Sequence, residues 1–379
     1  MSLLIKSSPT SFTDLFTMSR CVSVRMIFSS ILLVLSYCST FNCVRADFTY
    51  PAEDGPHEAT WLQWPHDYGW DPDHVERYEE SWVQLAEALH TGERVQIIVY
   101  DDGVQLKRVR NLLRKRGLNM NNIDLYEYPT DDVWIRDNGP MFVYNDNDEL
   151  VVEDWQFNGW GEKADYWFDD YIPRDVSYEL DLPLQRVRMV NEGGSIEVDG
   201  RGTLMAKRSS ILNNNRNPGM TQRQAQRFFR RFLGVTNFIW LDGQKGADIT
   251  DDHIDGTARF ANGDTIVTHR RDDFIDPKEY DILKSATDVN GETYKIVELP
   301  LTDKIIPSVG DFGIYINYYV GNDVVIIPSY DDPNDDIAAD ILQEVYPNKD
   351  MVLIDFTELF IDGGSVHCVT KEEPRELTR

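Results

Sequence analysis

The sequence predicts an α/β fold assembled from five repeats of one strand-hairpin-helix unit, arranged as a pseudosymmetric α/β propeller. Three observations carry that prediction. Stretches with helical periodicity alternate with short apolar strands, the pattern of an α/β protein. A hairpin of one recurring design follows a polar residue in each unit. The unit markers Asp137, Glu192, His253, Asn317 and Cys368 are 55, 61, 64 and 51 residues apart, and self-similarity at roughly 50 residues indicates a radial array.

Taken in order, helical periodicity covers residues 78–90, 104–116, 221–233, 277–287 and 335–346, with apolar strands at 95–100, 237–241 and 352–355. The first hairpin follows Arg136-Asp137-Asn138-Gly139, running 141–144, turning over 145–148 and returning through 150–153. The second follows Glu192-Gly193-Gly194 and turns at Asp199-Gly200; the third follows His253-Ile254-Asp255 and turns at Asn262-Gly263. The fourth follows Tyr315-Ile316-Asn317 and turns at Gly321-Asn322, and the fifth begins at Gly363-Gly364 near the chain end. Asn-Gly and Asp-Gly between apolar runs are strong hairpin signals. In a closed array equivalent positions face the axis, so the five markers would converge on one cleft. An ordinary α/β protein with several such hairpins is the competing reading.

The chain has 379 residues, 41% hydrophobic and 27% charged, enough for a sizeable core. It carries 37 Lys and Arg against 65 Asp and Glu, a net charge of −28. That excess argues against nucleic acid as a partner, since such binding needs a basic face. An acidic chain suits a cationic substrate, and it is equally common among extracellular proteins.

Residues 1–46 read as a secretory signal peptide: Arg20 and Arg25 precede an apolar run over 27–37, and Val44-Arg45-Ala46 supplies a small-x-small cleavage pattern. Met18 and Met26 are alternative translation starts, since the first residues add little. The run is short for a bilayer-spanning helix, and an uncleaved anchor is the alternative. Cleavage predicts a single catalytic domain over 47–379, secreted or held in the secretory lumen, without stable membrane insertion. Loss of Lys6, Arg20, Arg25, Arg45 and Asp14 would take the net charge from −28 to −31. Cys21, Cys38 and Cys43 would leave too, so the mature chain would hold one cysteine, Cys368. A leftover thiol in a secreted protein is a candidate reactive group; a buried inert Cys is the plainer reading.

If the markers converge, one site holds a thiol (Cys368), an imidazole (His253), carboxylates (Asp137, Asp255, Glu192) and an amide (Asn317). Cys with a separate His is the pair for nucleophilic catalysis. Carboxylates beside a thiol raise its pKa and disfavour the thiolate, which makes sense when the substrate is itself a cation. A guanidinium offers fork-like donors that carboxylates grip in pairs. Attack at its carbon and loss of ammonia leave a thiouronium, which water converts to a urea.

The resemblance is then specific. Pro56-His57-Glu58-Ala59-Thr60-Trp61, Trp134-Ile135-Arg136-Asp137-Asn138-Gly139-Pro140, Glu192-Gly193-Gly194-Ser195-Ile196, Asn214-Asn215-Arg216-Asn217-Pro218, Thr250-Asp251-Asp252-His253-Ile254-Asp255 and Gly363-Gly364-Ser365-Val366-His367-Cys368-Val369-Thr370 stand in order over nearly the whole mature chain. As an ordered set they resemble the agmatine deiminase and bacterial-type peptidylarginine deiminase family of the guanidine-modifying five-bladed α/β propellers, the penteins. The resemblance implies Cys368 as nucleophile, His253 as general acid and base, and Asp137 and Asp255 as guanidinium clamps. Glu192 would be the acidic residue beside the site, and Asn317 stands where the peptidylarginine branch places an amide. Neither cofactor nor metal is implied.

Asp252, where agmatine deiminases often have Gly, and Asp362 and Ser365, which interrupt a Gly-rich run, depart from the agmatine pattern. With the leader, they raise the peptidylarginine alternative. Trp134 is a candidate wall for a substrate's methylene chain, or a core residue. His367 would point away from Cys368 if the segment were a strand and is read as structural or as a support behind the site. His57, His66, His74 and His90 lack a metal-ligand pattern. The acidic stretches 145–149 and 331–336 do not match a calcium loop; Asp335 or Asn334 reads better as a helix cap. The basic run 223–231 reads as a solvated helix face with Phe228, Phe229 and Phe232 inward.

The sequence thus predicts a deiminase that turns agmatine into N-carbamoylputrescine, with protein-arginine deimination (citrullination) as the alternative. Its partners would be a small guanidinium cation or an arginyl peptide; a homo-oligomer is compatible. An amidinotransferase and a non-catalytic binding propeller are weaker readings. A papain-like hydrolase is disfavoured, because its Cys lies near the mature start.

Overall fold

The computed structural model describes residues 47–68, 73–270 and 274–377. The expected leader, with Cys21, Cys38 and Cys43, lies outside the described residues. Five mixed sheets are built alike: an antiparallel pair of strands, a hairpin in four of the sheets, is joined through a helical crossover by a third strand parallel to the second. Met141–Asn145 pairs antiparallel with Leu150–Gln156, which runs parallel to Leu184–Val190. Ile196–Val198, Thr203–Lys207 and Asn237–Leu241 repeat this order. So do Ala258–Ala261, Thr265–His269 and Lys295–Leu299, and then Tyr319–Val320, Val324–Ser329 and Asp350–Asp355. Parallel neighbours need a crossover rather than a tight turn, and Ile172–Glu179, Gln222–Phe232, Pro277–Ser285 and Asn334–Val345 supply the crossovers.

The fifth sheet takes strands from both ends of the chain. Lys371–Pro374 lies antiparallel to His57–Gln63, which is followed in parallel by Arg94–Val99 and Ile123–Glu127. Helices His74–Leu89 and Gln105–Arg116 make its crossovers. A further hairpin, Leu301–Ile306 with Asp311–Ile314, stands outside the repeat. Among the described residues no helix is long and apolar enough to cross a membrane.

Local chemistry explains the elements. Gln222–Phe232 opens with a capping box in which Thr221 and Gln224 satisfy each other's backbone N–H groups. Ala225, Phe229 and Phe232 face the core, whereas Phe228, expected inward, is half-buried. The helix expected over 277–287 stops at Ser285, because Ala286 is extended and Thr287 bridges to Thr293. Asn334–Val345 starts without a side-chain cap. Asp335 instead accepts from the Tyr315 hydroxyl and from the backbone N–H groups of Tyr330 and Asp332. Residues 367–369 form a 3-10 turn rather than a strand.

Apolar layers lie between the sheets and their helices, as where Trp82, Leu85 and Leu89 pack on Val95 and Ile97. A second interior is ionic. Arg136 reaches Glu372 at 2.7 Å and Glu53 at 3.2 Å; Arg259 reaches Glu53 at 2.7 Å and also Glu197. Lys371 bonds the Tyr50 hydroxyl and Glu372. All but the half-buried Glu53 are buried, so each depends on its partners for the solvation it has lost. They tie the amino-terminal loop and the carboxy-terminal strand into one centre. Glu372→Ala removes an anion facing Arg136 and Lys371, and breaking a buried pair costs on the order of 3–5 kcal/mol. We expect its urea midpoint to fall with an unchanged slope.

Candidate active site

Each repeat delivers its marker residue at the same place, just before the first strand of its sheet. Asp137 lies in the single turn Ile135–Asn138, ahead of Met141–Asn145. Glu192 and His253 each precede a 3-10 turn, Gly193–Ser195 and Ile254–Gly256. Asn317 precedes Tyr319–Val320, and Cys368 sits in the turn ahead of Lys371–Pro374. These tight turns bring side chains from five distant segments together.

The imidazole of His253 lies between two acids, with Nδ1 3.7 Å from Asp137 Oδ2 and Nε2 3.5 Å from Glu192 Oε2. The Cys368 thiol is 3.4 Å from Asn317 Oδ1 and 4.0 Å from Asp255 Oδ2. Gly194 marks the middle: a Cβ there would stand 2.8 Å from Asp137 Oδ1 and 2.9 Å from both Asp255 Oδ2 and His253 Nδ1. Asp137 is gripped at both oxygens, by the Gly194 N–H at 2.9 Å and the Trp160 indole N–H at 2.8 Å. On Asp255, Oδ2 accepts from Asn317 Nδ2 at 3.3 Å and faces His367 Nδ1 at 2.8 Å.

The electrostatics follow from burial and these contacts. Burial acts to lower His253, but Asp137, Glu192 and Asp255 outweigh it and raise it to about 9. Burial pushes Asp137 up against the pull of His253, and Asp255 and Glu192 add to the rise. Burial would raise Asp255 too, yet the bond and charge of His367 hold it below the usual carboxylate range. Glu192 is likewise held low, against burial, by His253 and Arg216. Burial, then the charges of Asp255 and Asp137, push the Cys368 thiol well above its ordinary value.

A pocket of about 210 Å³ opens onto Cys368 and Asp137. Its walls are largely apolar, with Trp134, Trp160, Val133, Ala164 and Leu359, and carry the carboxyl groups of Asp132 and Asp362. Trp134 serves the wall and the packing together. Its indole donates to Asp132 at 2.7 Å and its ring meets Trp160 edge-on at 6.4 Å. A Cβ on Gly364 would come within 2.2 Å of the Trp134 ring, which accounts for a glycine there. Burial raises Asp132 to about 7 against its bonds to Val133 and Trp134. Glu192, His253, Asp255 and Asn317, all expected at the substrate, do not line this pocket. Glu192 faces His253 and Arg216, and Asn317 spans Asp255 and the thiol.

Several site residues had no role assigned from the sequence, although Arg216 and Asp251 stand in its motifs. Trp160 has φ 54° between Gly159 and Gly161, a backbone that an aromatic residue rarely adopts; the Gly-Trp-Gly triplet was its signal. Arg216 bonds Glu192 at 2.8 Å, the Thr250 carbonyl at 2.9 Å, and Asp251. Asp251 also accepts from Lys163 at 2.7 Å and the Gly246 N–H at 2.8 Å. It thereby ties the loop bearing Trp160 to the segment bearing His253. Asp252 has φ 73° and pairs with Lys207, so the position where Gly is expected does take a left-handed backbone. Among the described residues no cluster of three or more His, Cys, Asp or Glu is placed to hold a metal ion.

Residues 49–374 match the Porphyromonas-type peptidyl-arginine deiminase family. The chain is similar to the agmatine deiminase of Stutzerimonas stutzeri, 31% identical over 362 residues, covering 87% of this chain and 96% of the relative. Among solved structures it resembles the Enterococcus faecalis agmatine deiminase at TM-score 0.77 and 28% identity, covering 87% of this chain and 97% of that one. A substrate-bound agmatine deiminase of C. jejuni gives TM-score 0.75 and 26% identity, covering 87% and 97%. By the span of the match and the likeness of the fold, the chain belongs to the Porphyromonas-type peptidyl-arginine deiminase family, whose members hydrolyse carbon–nitrogen bonds.

Proposed function

We propose that this protein hydrolyses the guanidinium of agmatine, giving N-carbamoylputrescine and ammonia. The observation that carries the reading is the meeting of imidazole and carboxylates around Gly194, with the Cys368 thiol 4.0 Å from Asp255 Oδ2, beside an apolar-walled pocket. Asp137 and Asp255 clamp the guanidinium nitrogens. The bound cation offsets the two charges that hold the Cys368 proton in place, and the thiol releases it to solvent. The thiolate adds to the guanidinium carbon, and His253, protonated at neutral pH, gives its proton to the departing ammonia. The thiouronium remains on Cys368. His253, now neutral, takes a proton from water as the oxygen adds. As the C–S bond of this second adduct breaks, its hydroxyl proton passes to the departing sulfur, which frees the neutral urea and restores the Cys368 thiol.

Trp134 and Trp160 flank the methylene chain. Asp132 and Asp362 favour a second positive group along the pocket and disfavour a free α-carboxylate, which ranks agmatine above free arginine. The relatives named as agmatine deiminases support the same choice. An arginyl peptide is the second reading, favoured by the secretory leader read over residues 1–46. The five like-built sheets, one drawing strands from both chain ends, support closure into a five-bladed ring. Entry into the secretory route rests on the leader's sequence pattern.

A ureido-product assay with agmatine, arginine and a blocked arginyl peptide tests the assignment. Agmatine should turn over fastest, and Cys368→Ala should lose on the order of 10⁴-fold or more in kcat. Product from the peptide alone would move the protein to protein modification. No ureido product from any of the three would sink the deiminase reading.

The pH profile of kcat/KM should be bell-shaped. Deprotonating His253 removes the general acid, so the rate falls as pH rises through about 9. Protonating Asp137 removes a clamp, so the rate falls on the acid side at a pH above the usual carboxylate range. A flat profile between pH 8 and 10 would contradict the role of His253 (about one unit either side of its value).

Gly194→Ala places a methyl group among three site residues. Misplacement by about 1 Å costs roughly 10²-fold in rate. We expect at least that loss, with thermal unfolding monitored alongside to exclude global damage.

A further inference from the structure

We propose that His367 is a positioning residue for this site, a buried link that holds Asp255 from behind and is itself held by Glu53 of the amino-terminal loop. The activity arm of this inference rests on the proposed deimination; its chemical arm does not.

The His367 side chain is 1% exposed, with Nδ1 2.8 Å from Asp255 Oδ2 and Nε2 2.7 Å from Glu53 Oε2. Ionised carboxylates only accept hydrogen bonds, so two such contacts require both ring nitrogens to donate, which is the imidazolium form. The backbone is fixed as well. The His367 N–H donates to the Asn317 carbonyl at 3.1 Å, and the His367 carbonyl accepts from Arg136 Nε at 3.2 Å. Glu53 is in turn anchored by Arg259 at 2.7 Å and Arg136 at 3.2 Å. The charged groups around the ring are therefore Asp255, Glu53, Arg136 and Arg259, with Glu197 and Glu372 pairing the two arginines.

A link of this kind does two things for the reaction. A buried carboxylate without a counter-charge takes up a proton, so the ring keeps Asp255 able to grip a guanidinium. By bonding Oδ2 the ring also fixes the rotation of the carboxylate, which must meet a planar substrate in a defined orientation. The 3-10 turn that carries Cys368 into the pocket carries its neighbour to Asp255, so nucleophile and support are set by one turn of backbone. Glu53 makes the amino-terminal loop part of the active site's foundation.

The test uses the full chain carrying His367→Gln or Glu53→Gln, with two readouts. One is kcat and KM for agmatine. The other is the pH dependence of Cys368 alkylation by iodoacetamide without substrate. In His367→Gln, Asp255 loses its counter-charge and takes a proton, so kcat/KM falls about 10²-fold, mainly through KM. The negative charge beside Cys368 falls with it, so alkylation shifts to lower pH by about one unit. The substrate reaction worsens while the free thiol becomes easier to ionise, a split that general damage to the fold does not produce. Glu53→Gln should show the same pair of changes in smaller degree. Any other result overturns the proposal: both readouts within twofold of wild type, activity lost with alkylation unmoved, or alkylation displaced to higher pH. If His367→Gln fails to fold by circular dichroism, Glu53→Gln decides on the same two readouts. Should wild type leave agmatine untouched, the deimination reading fails, while the alkylation shift still decides whether His367 sustains the charge on Asp255.

Discussion

The centre of this protein is organised by the cost of burying carboxylates close together. Asp137, Glu192 and Asp255 surround one imidazole, the first and last of them also act on the thiol, and none has bulk water to solvate it. Each is compensated differently. Glu192 has Arg216, whose guanidinium is wholly buried against it. Asp255 has His367. Asp137 has two neutral N–H donors, Gly194 and Trp160, and shares His253 with Glu192. The internal cations leave negative potential on the side that faces the thiol, and the raised Cys368 is its consequence. A site built so holds the Cys368 thiol protonated, and under the proposed mechanism a bound guanidinium is what releases it.

Holding that arrangement requires backbone that an unconstrained chain avoids. Trp160, Asp251 and Asp252 all have positive φ, and such conformations persist where the surroundings over-determine them. Here the surroundings are ionic: Lys163 and Arg216 converge on Asp251, and Lys207 takes Asp252. The same contacts that stabilise the strained turns join the pocket wall at Thr250 and Ile249 to the loop of Trp160. The strained turns and the pocket wall therefore share one ionic knot.

Much of the architecture was legible because hairpins advertise themselves locally. Asp-Gly, Asn-Gly and Gly-Asn between apolar runs specify a turn with few residues, and three such turns sit where the strands reverse. Helix ends were less legible: Ser285 closes its helix early because residue 287 is claimed by a distant bridge, a tertiary demand. The reading of 367–369 as strand failed for a related reason. Alternation cannot tell a short strand from a 3-10 turn, and the difference moves His367 from the far side of the chain to the back of Asp255.

By itself the sequence determined the repeat, the order of the motifs and the set of groups that could do guanidine chemistry, since residue type, turn chemistry and spacing are local properties. Only the tertiary structure decided which of them touch. It assigned Glu192 to the imidazole and Arg216, turned Asn317 towards Asp255 and the thiol, and brought in Trp160, Arg216, Asp251, His367 and Glu53. Those assignments depend on hydrogen-bond geometry and burial across separations such as the 314 residues between Glu53 and His367. An ionisable side chain acquires its role from the charges around it, and those neighbours exist only once the chain has folded.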